Sequence, residues 1–446
     1  MPQEKTYKRL FLLFMGILLL PVILQVTHIP SIRKLAGYTE PIEKVKPTAA
    51  NIIDGSYQQY LDTYAAANFG GRGFYVRCYN QFLYSAFHKT TNDNIIIGKD
   101  GEMFLKQYTD DVSGITLREK FGTADSAKLT ARQNVIKTLE LIDSLKAHNI
   151  AFLVVLAPSK TAIYPEWLPD SICPDNFCLS KEYAALFEKY NIPHIDFLPI
   201  FNSLKTSEKY PLYTKYGTHW SQGTMPFVAN TLLRSMEGLL HRSLPNIQLI
   251  DSNITRKYSN PDKELESLCN LLFPLHHPKM PWPKYTLCDI PRNYQKPNLL
   301  VVADSYFTLL EESPFTEAFD NVDYWKYNET SISKIPERQN QIAYINRYEA
   351  ITDADVVMVM FTTMFAYDYL FGFVETALKT FEEGDVYDGS KYVEEQINHI
   401  IERIKSDPQW LKMVEQQAKK EKITLDEALR KNAKYVYEVD FKKNQR

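Results

Sequence analysis

The sequence predicts an α/β protein built on a mainly parallel sheet. Runs at 151–156, 299–302 and, after its leading Asp355, 355–361 are apolar and rich in β-branched residues, the pattern of strands covered on both faces. Helical patterns lie between such runs, the longest at 126–148, and strands spaced by helices of this length indicate parallel crossovers. With 446 residues, 45% of them hydrophobic and 13% aromatic, the chain has material for a sizeable core plus additions to it.

The first addition is N-terminal. Residues 10–24 are almost wholly apolar, Gly16 and Pro21 excepted, and Lys5, Lys8 and Arg9 precede them. Extended through Val26, this run approaches the ~20 residues of a bilayer span, and the basic flank predicts a cytoplasmic N-terminus. Small residues of a signal-peptidase site are missing after it, which favours a retained anchor over a cleaved signal peptide or a buried core helix. The expected setting is therefore single-pass in the inner (cytoplasmic) membrane, with everything beyond residue 27 extracytoplasmic or periplasmic. Residues 28–55, polar and with several prolines, read as a juxtamembrane tether.

From residue 57 to 87 aromatic and aliphatic residues recur at helical spacing and are interrupted at Gly70-Gly71-Arg72-Gly73, which predicts two helices joined by a turn. Residues 94–104 predict a hairpin with strands Ile95-Ile96-Ile97 and Met103-Phe104-Leu105. A helix over 181–190 leads to a short strand at 193–197, Ser221 is placed to cap a further helix, and 322–325 is a weaker strand. Residues 251–296 turn polar, proline-rich and irregular and hold His276-His277, so they read as an insertion on the ligand face of the sheet. Past residue 384 Lys, Glu and Gln dominate, and Ile397, Ile400, Ile404, Trp410 and Val414 mark amphipathic helices of a C-terminal appendage, 384–446.

A net charge of −3 offers no basic footprint for nucleic acid. The five cysteines fit an oxidising compartment: Cys173 and Cys178 bracket a turn-like insert that a local disulfide could close, and Cys269 with Cys288 could close a second loop. No C-x-x-C pair and no histidine at ligand spacing supports a metal, and no cofactor is expected.

Two separated motifs carry candidate chemistry. Ala303-Asp304-Ser305-Tyr306 directly follows the run at 299–302, where open α/β sheets place their ligands, which makes Ser305 a candidate nucleophile. Thr218-His219-Trp220 lies between a turn and a helix start, so His219 is the candidate base. Ser159 and Lys160, at the end of the run at 151–156, belong to the same sheet face and could bind substrate. Tyr164, Trp167 and Trp220 could form an aromatic platform for sugar rings, with buried packing as the alternative.

Four blocks carry a resemblance: Ile97-Gly98-Lys99-Asp100-Gly101 with Phe104, Ala157-Pro158-Ser159-Lys160-Thr161-Ala162-Ile163-Tyr164-Pro165, Thr218-His219-Trp220, and Asp304-Ser305. In that order they resemble the alginate O-acetyltransferase family, the AlgJ/AlgX-like branch of the SGNH hydrolases, over residues 56–383. The resemblance implies a flavodoxin-like domain in which Ser305 takes an acetyl group from a donor and His219 activates a hydroxyl of an exported polysaccharide to remove it. It also implies a membrane-embedded partner that supplies the acetyl group.

That family commonly has an aspartate two residues before the histidine, and here the position is Gly217. A carboxylate elsewhere could replace it, the site could work as a Ser-His dyad, or the chain could be a non-catalytic relative. Asp196, at the end of its strand, is one candidate substitute, and a backbone carbonyl could also orient the ring. Asp304 is a poor one, since a residue adjacent to the nucleophile generally points away from it. Three functions follow: an O-acetyltransferase on a cell-surface or exported glycan, a carbohydrate acetyl esterase on the same scaffold, or a glycan-binding or assembly subunit.

Overall fold

A computed structural model describes residues 2–27, 34–37, 42–208, 211–387 and 389–444. Parts of the tether, 28–33 and 38–41, lie outside the described residues, as do residue 1 of the anchor and residues 388, 445 and 446 of the appendage. α1 (Pro2–Thr27) is, among the described residues, the one helix long and apolar enough to cross a membrane, over Lys5–Val26. That is consistent with a single membrane anchor. A short helix (Ala49–Ile53) precedes the two helices expected around the glycine turn, α2 (Ser56–Asn68) and α3 (Arg72–Phe87). β1 (Ile95–Ile97) and β2 (Met103–Leu105) pair antiparallel as the expected hairpin.

The central sheet follows. α4 (Ala124–Ala147), with Thr123 Oγ1 capping the Ser126 N–H, leads into β3 (Ala151–Ala157). α5 (Leu179–Lys189) connects to β4 (His194–Asp196), and α6 (Phe197–Leu204) and α7 (Met225–Leu240) come next. β5 (Asn246–Thr255) and β6 (Met280–Cys288) form an antiparallel ribbon whose connection carries α8 (Glu264–Leu268). The segment expected to be irregular is thus largely ordered: its cross-strand backbone pairing satisfies groups that proline and polar composition alone suggested were left to solvent. β7 (Leu299–Ala303), β8 (Val322–Lys326), β9 (Thr330–Ile332) and β10 (Val356–Thr362) complete the strands.

Strand order in the six-stranded sheet is β4-β3-β10-β7-β8-β9, with all neighbours parallel except the β8/β9 edge pair. β10 lies between β3 and β7, so the residues following these three strands meet at one edge. Alternate residues feed two layers, as the period of a strand dictates. Leu299, Val301 and Ala303 pack with Phe197, Trp220, Phe307 and the α7 face, while Leu300 and Val302 pack with Tyr183, Leu141 and Phe373 of α9 (Phe373–Glu383). The runs at 151–156, 299–302 and 355–361 read as buried on both faces because they are: every residue of β7 and β10 is buried.

Beyond residue 384, α10 (Gly389–Ser406), α11 (Pro408–Glu421) and α12 (Leu425–Asn444) form a helical region with its own apolar cluster of Ile397, Ile400, Ile404, Val414, Ala428 and Leu429. The five cysteines are all unbonded. Cys173 and Cys178, which a local disulfide could join, carry free thiols in this structure, and Cys178 stands at the N-cap of α5 with its Sγ 3.1 Å from Ser180 Oγ. Cys269 is buried with Ile95, Met103, Tyr216 and Leu265, and its thiol is likewise not paired with Cys288.

Candidate active site

Ser305 begins the turn after β7, and the Asp304 side chain caps that turn by accepting the Tyr306 N–H at 2.9 Å. The second Asp304 oxygen accepts the Thr362 N–H at 2.8 Å, which ties the end of β7 to the end of β10. Asp304 is fully buried, its carboxyl pushed above the ordinary value by that burial, and it points away from the histidine as expected of a neighbour of the nucleophile.

His219 arrives from the other side of the edge. Trp220, fully buried against Phe197, Phe201 and Tyr306, anchors its loop, and Tyr306 Oη donates to the Thr218 carbonyl at 2.7 Å. Across this packing His219 Nε2 sits 2.9 Å from Ser305 Oγ. The two residues singled out in the sequence are brought within hydrogen-bonding reach.

The far ring nitrogen is also occupied. His219 Nδ1 lies 2.7 Å from Glu264 Oε1, the same oxygen that accepts the Thr218 N–H at 2.9 Å. A carboxylate only accepts, so the Nδ1 proton is donated to Glu264 and Nε2 is left with its lone pair toward the Ser305 hydroxyl. Both side chains are largely shielded, His219 at 13% and Glu264 at 21% exposure.

Gly217 explains why the acid comes from here. A Cβ at Gly217 would lie 2.5 Å from Thr214 Oγ1, 2.9 Å from the Pro261 carbonyl oxygen and 3.2 Å from the Asp262 carbonyl carbon. The insertion backbone occupies the space a side chain at 217 would need, and three residues later it delivers Glu264. α8 is fixed there by Leu265, which packs with Ile95, Met103 and Tyr216 and donates its N–H to the Tyr216 carbonyl at 2.9 Å. Glu266 pairs with buried His277 at 2.6 Å and accepts the Leu275 N–H at 2.7 Å. Beside Glu264, burial pushes the Asp262 carboxyl up to about 7, against the pull of the Gln222 N–H.

Asp196 does not reach the site. It ends β4, separated from β7 by the two strands β3 and β10, and its carboxylate accepts the Leu198 N–H at 2.9 Å as the cap of α6. Ser159, Lys160 and Trp220, expected to meet substrate, are instead buried at 1%, 2% and 0% exposure. Ser159 caps the helical turn Lys160–Ile163 and bonds Thr161 and Thr363. Lys160 Nζ pairs with Glu102 at 2.8 Å and donates to the carbonyls of Met103, Thr214 and Lys215, so it holds the loop that leads to His219. Tyr164 is half-buried, with Lys205 Nζ 4.9 Å over its ring and its hydroxyl accepting the Leu212 N–H at 3.3 Å. Ser159 and Lys160 stand just past a strand end, where the turns built there consume their polar atoms, whereas Trp220 is taken up by aromatic packing.

Two residues escaped the sequence. Glu264 lies 45 positions from His219 in an insertion whose path no local pattern reveals, although the acidic Asp262-Lys263-Glu264 on the expected ligand face was a signal. Tyr327, just beyond β8, donates its N–H to the Ala303 carbonyl at 2.9 Å, which seats it beside the Ser305 turn. Burial raises its phenol pKa, opposed by hydrogen bonds from the hydroxyl and the backbone N–H of Ser305. Among the described residues no group of His, Cys, Asp and Glu is placed to hold a metal ion.

Residues 95–253 match the family model described as the SGNH hydrolase-like domain of the acetyltransferase AlgX. Over that span the chain is similar to an SGNH hydrolase-like domain. The matched span includes His219 and ends before Glu264 and Ser305. Among solved structures, the chain is similar to the O-acetyltransferase domain of Pseudomonas putida AlgJ, at 14% identity and TM-score 0.41 over 64% of this chain and 99% of that one. Pseudomonas aeruginosa AlgX matches at 18% identity and TM-score 0.38 over 63% and 66% of the two chains. Bacillus cereus PatB1 matches at 13% identity and TM-score 0.35 over 55% and 92%. Curated protein sequences contain no match to this chain.

Proposed function

We propose that this protein is a membrane-anchored, extracytoplasmic O-acetyltransferase that moves acetyl groups onto hydroxyls of a cell-surface or exported polysaccharide through an acyl-enzyme on Ser305. The observation that carries the reading is the hydrogen-bonded line from Ser305 Oγ through His219 to Glu264 Oε1. In it, Ser305 Oγ attacks the acetyl carbonyl while its proton passes to His219 Nε2, and the imidazolium, held by Glu264, returns that proton to the departing donor group. An acceptor hydroxyl then gives its proton to His219 and attacks the acyl carbon, which releases Ser305.

The oxyanion formed in each step needs donors. The Ser305 N–H, at the start of the turn after β7, is the simplest one. Gly217 was the ground for a non-catalytic relative, and the Glu264 carboxylate supports the catalytic reading over it. The same proposal divides the chain into anchor (1–27), tether (28–55), a flavodoxin-like catalytic domain (56–383) with its insertion at 251–296, and a helical tail (384–446). It places the N-terminus in the cytoplasm, the polysaccharide acceptor outside, and a membrane-embedded partner as the source of acetyl groups.

The test is to incubate the purified protein with a chromogenic acetyl ester and an oligosaccharide acceptor, beside Ser305→Ala. Acetylated oligosaccharide found by mass spectrometry only with the wild type is expected. Ester hydrolysis without acceptor acetylation would make the protein an esterase, and equal rates in the mutant would remove the enzymatic reading.

A further inference from the structure

The helical pair α2 and α3 has the wrong surface for water. Between residues 49 and 87 the chain holds ten aromatic residues but only four charged ones, Asp54, Asp62, Arg72 and Arg77. Helices that face solvent carry charged and polar residues on the outer side. α2 buries none of its residues. α3 turns one face inward: Asn80 Nδ2 donates to the Cys269 carbonyl at 2.9 Å, and Gln81 Oε1 accepts the Phe273 N–H at 3.1 Å. Tyr79, Phe82 and Phe87 remain 58%, 58% and 57% exposed, with the Phe82 and Phe87 rings 5.7 Å apart.

The position of this surface identifies its occupant. A Cβ at Gly70, in the turn joining the two helices, would lie 2.2 Å from the Pro21 carbonyl oxygen and 2.4 Å from the Gln25 N, and one at Gly71 would lie 2.6 Å from Leu24 Cδ1. The turn is therefore pressed onto the C-terminal end of the apolar stretch Lys5–Val26. Where a span leaves the bilayer is where aromatic side chains settle, ring inward and polar edge toward the headgroups. An aromatic-rich, charge-poor helical pair held at that level fits the interface where such rings settle.

We propose that α2 and α3 lie in the membrane-water interface on the side where α1 emerges, with Tyr79, Phe82 and Phe87 among the lipid headgroups. The domain then rests on the bilayer instead of swinging from a tether. Asn80 and Gln81 of α3 bond the segment that follows α8, which ties this helical pair to the domain. The proposal rests on α1 crossing a bilayer and is independent of acetyl transfer.

Hydroxyl-radical footprinting of the full chain, one copy per lipid nanodisc, tests it with no partner protein present. Tyr79 is expected to oxidise about tenfold more slowly than Tyr435, which is 68% exposed, and Phe82 and Phe87 about tenfold more slowly than Phe227, which is 40% exposed. Rates within about twofold of these controls, with Phe11 and Phe14 of α1 protected, would overturn the proposal and leave the aromatic face to a protein partner. Free oxidation of Phe11 and Phe14 as well would overturn it through its premise.

Discussion

Replacing Glu264 by Gln keeps the shape of the side chain and removes its charge, so it isolates what the acid does for His219. At the Nδ1 to Oε1 contact of 2.7 Å, charge centres of imidazolium and carboxylate stand about 4 Å apart, and at an effective dielectric near 20 their attraction is about 4 kcal/mol. That converts to roughly a thousandfold in rate at ~1.4 kcal/mol per factor of ten. The amide can also present its N–H to Nδ1 and favour the tautomer that leaves Nε2 protonated, a defect that costs about 10⁴ in known triads. Turnover of a chromogenic acetyl ester by Glu264→Gln is thus expected to fall about 10³ to 10⁴-fold, with little change in KM. Adding Gly217→Asp is not expected to restore it, because the Cβ alone would meet Thr214 Oγ1 at 2.5 Å and Pro261 O at 2.9 Å. A Glu264→Gln enzyme within about tenfold of wild type, or a double variant recovering to that level, would refute the reasoning.

Tyr327, held beside the Ser305 turn by its N–H bond to the Ala303 carbonyl, is expected to contribute to the oxyanion site, so Tyr327→Phe should lower kcat about 10²-fold; an unchanged kcat in steady-state assays would strike it from that role. Lys160→Met leaves Glu102 without its 2.8 Å partner and strips a donor from three carbonyls, which should cost roughly 3 kcal/mol in denaturant unfolding; a loss below about 1 kcal/mol would contradict a structural role. Asp262 carries a stability signature. Its folded carboxyl titrates near 7 against 3.8 ordinarily, so the folded state holds a proton that the unfolded chain has released, and this group lowers stability as pH rises from about 4 to 7. Asp262→Asn removes that penalty: its melting temperature should exceed the wild type's most above pH 7, by the equivalent of roughly 4 kcal/mol at the ceiling, and converge with it near pH 4. A pH-independent difference would mean Asp262 is ionised throughout.

The strands were readable because β7 and β10 bury both faces, which forces short continuous apolar runs between helical patterns. Ser305 and His219 were readable for a related reason, since one follows a strand end and the other precedes a helix start, both of which the pattern locates. What the turns do with their neighbours was not readable. Ser159, Lys160 and Asp196 sit at strand ends exactly as substrate-binding groups would, and only three-dimensional packing reveals that each spends its polar atoms on the fold. Glu264 was hidden because its placement depends on a long-range closure, in which the insertion packs Leu265 against Tyr216 and fills the space beside Gly217. The glycine recorded the loss of a carboxylate in sequence; in structure it makes room for another.

The most direct measurement is mass spectrometry of the acid-quenched enzyme after mixing with an acetyl ester. The account predicts one acetyl group on the peptide containing Ser305, absent in Ser305→Ala and in His219→Ala. Undiminished turnover in Ser305→Ala, or wild-type turnover under conditions where deacylation limits the rate with no acetyl on that peptide, would contradict it.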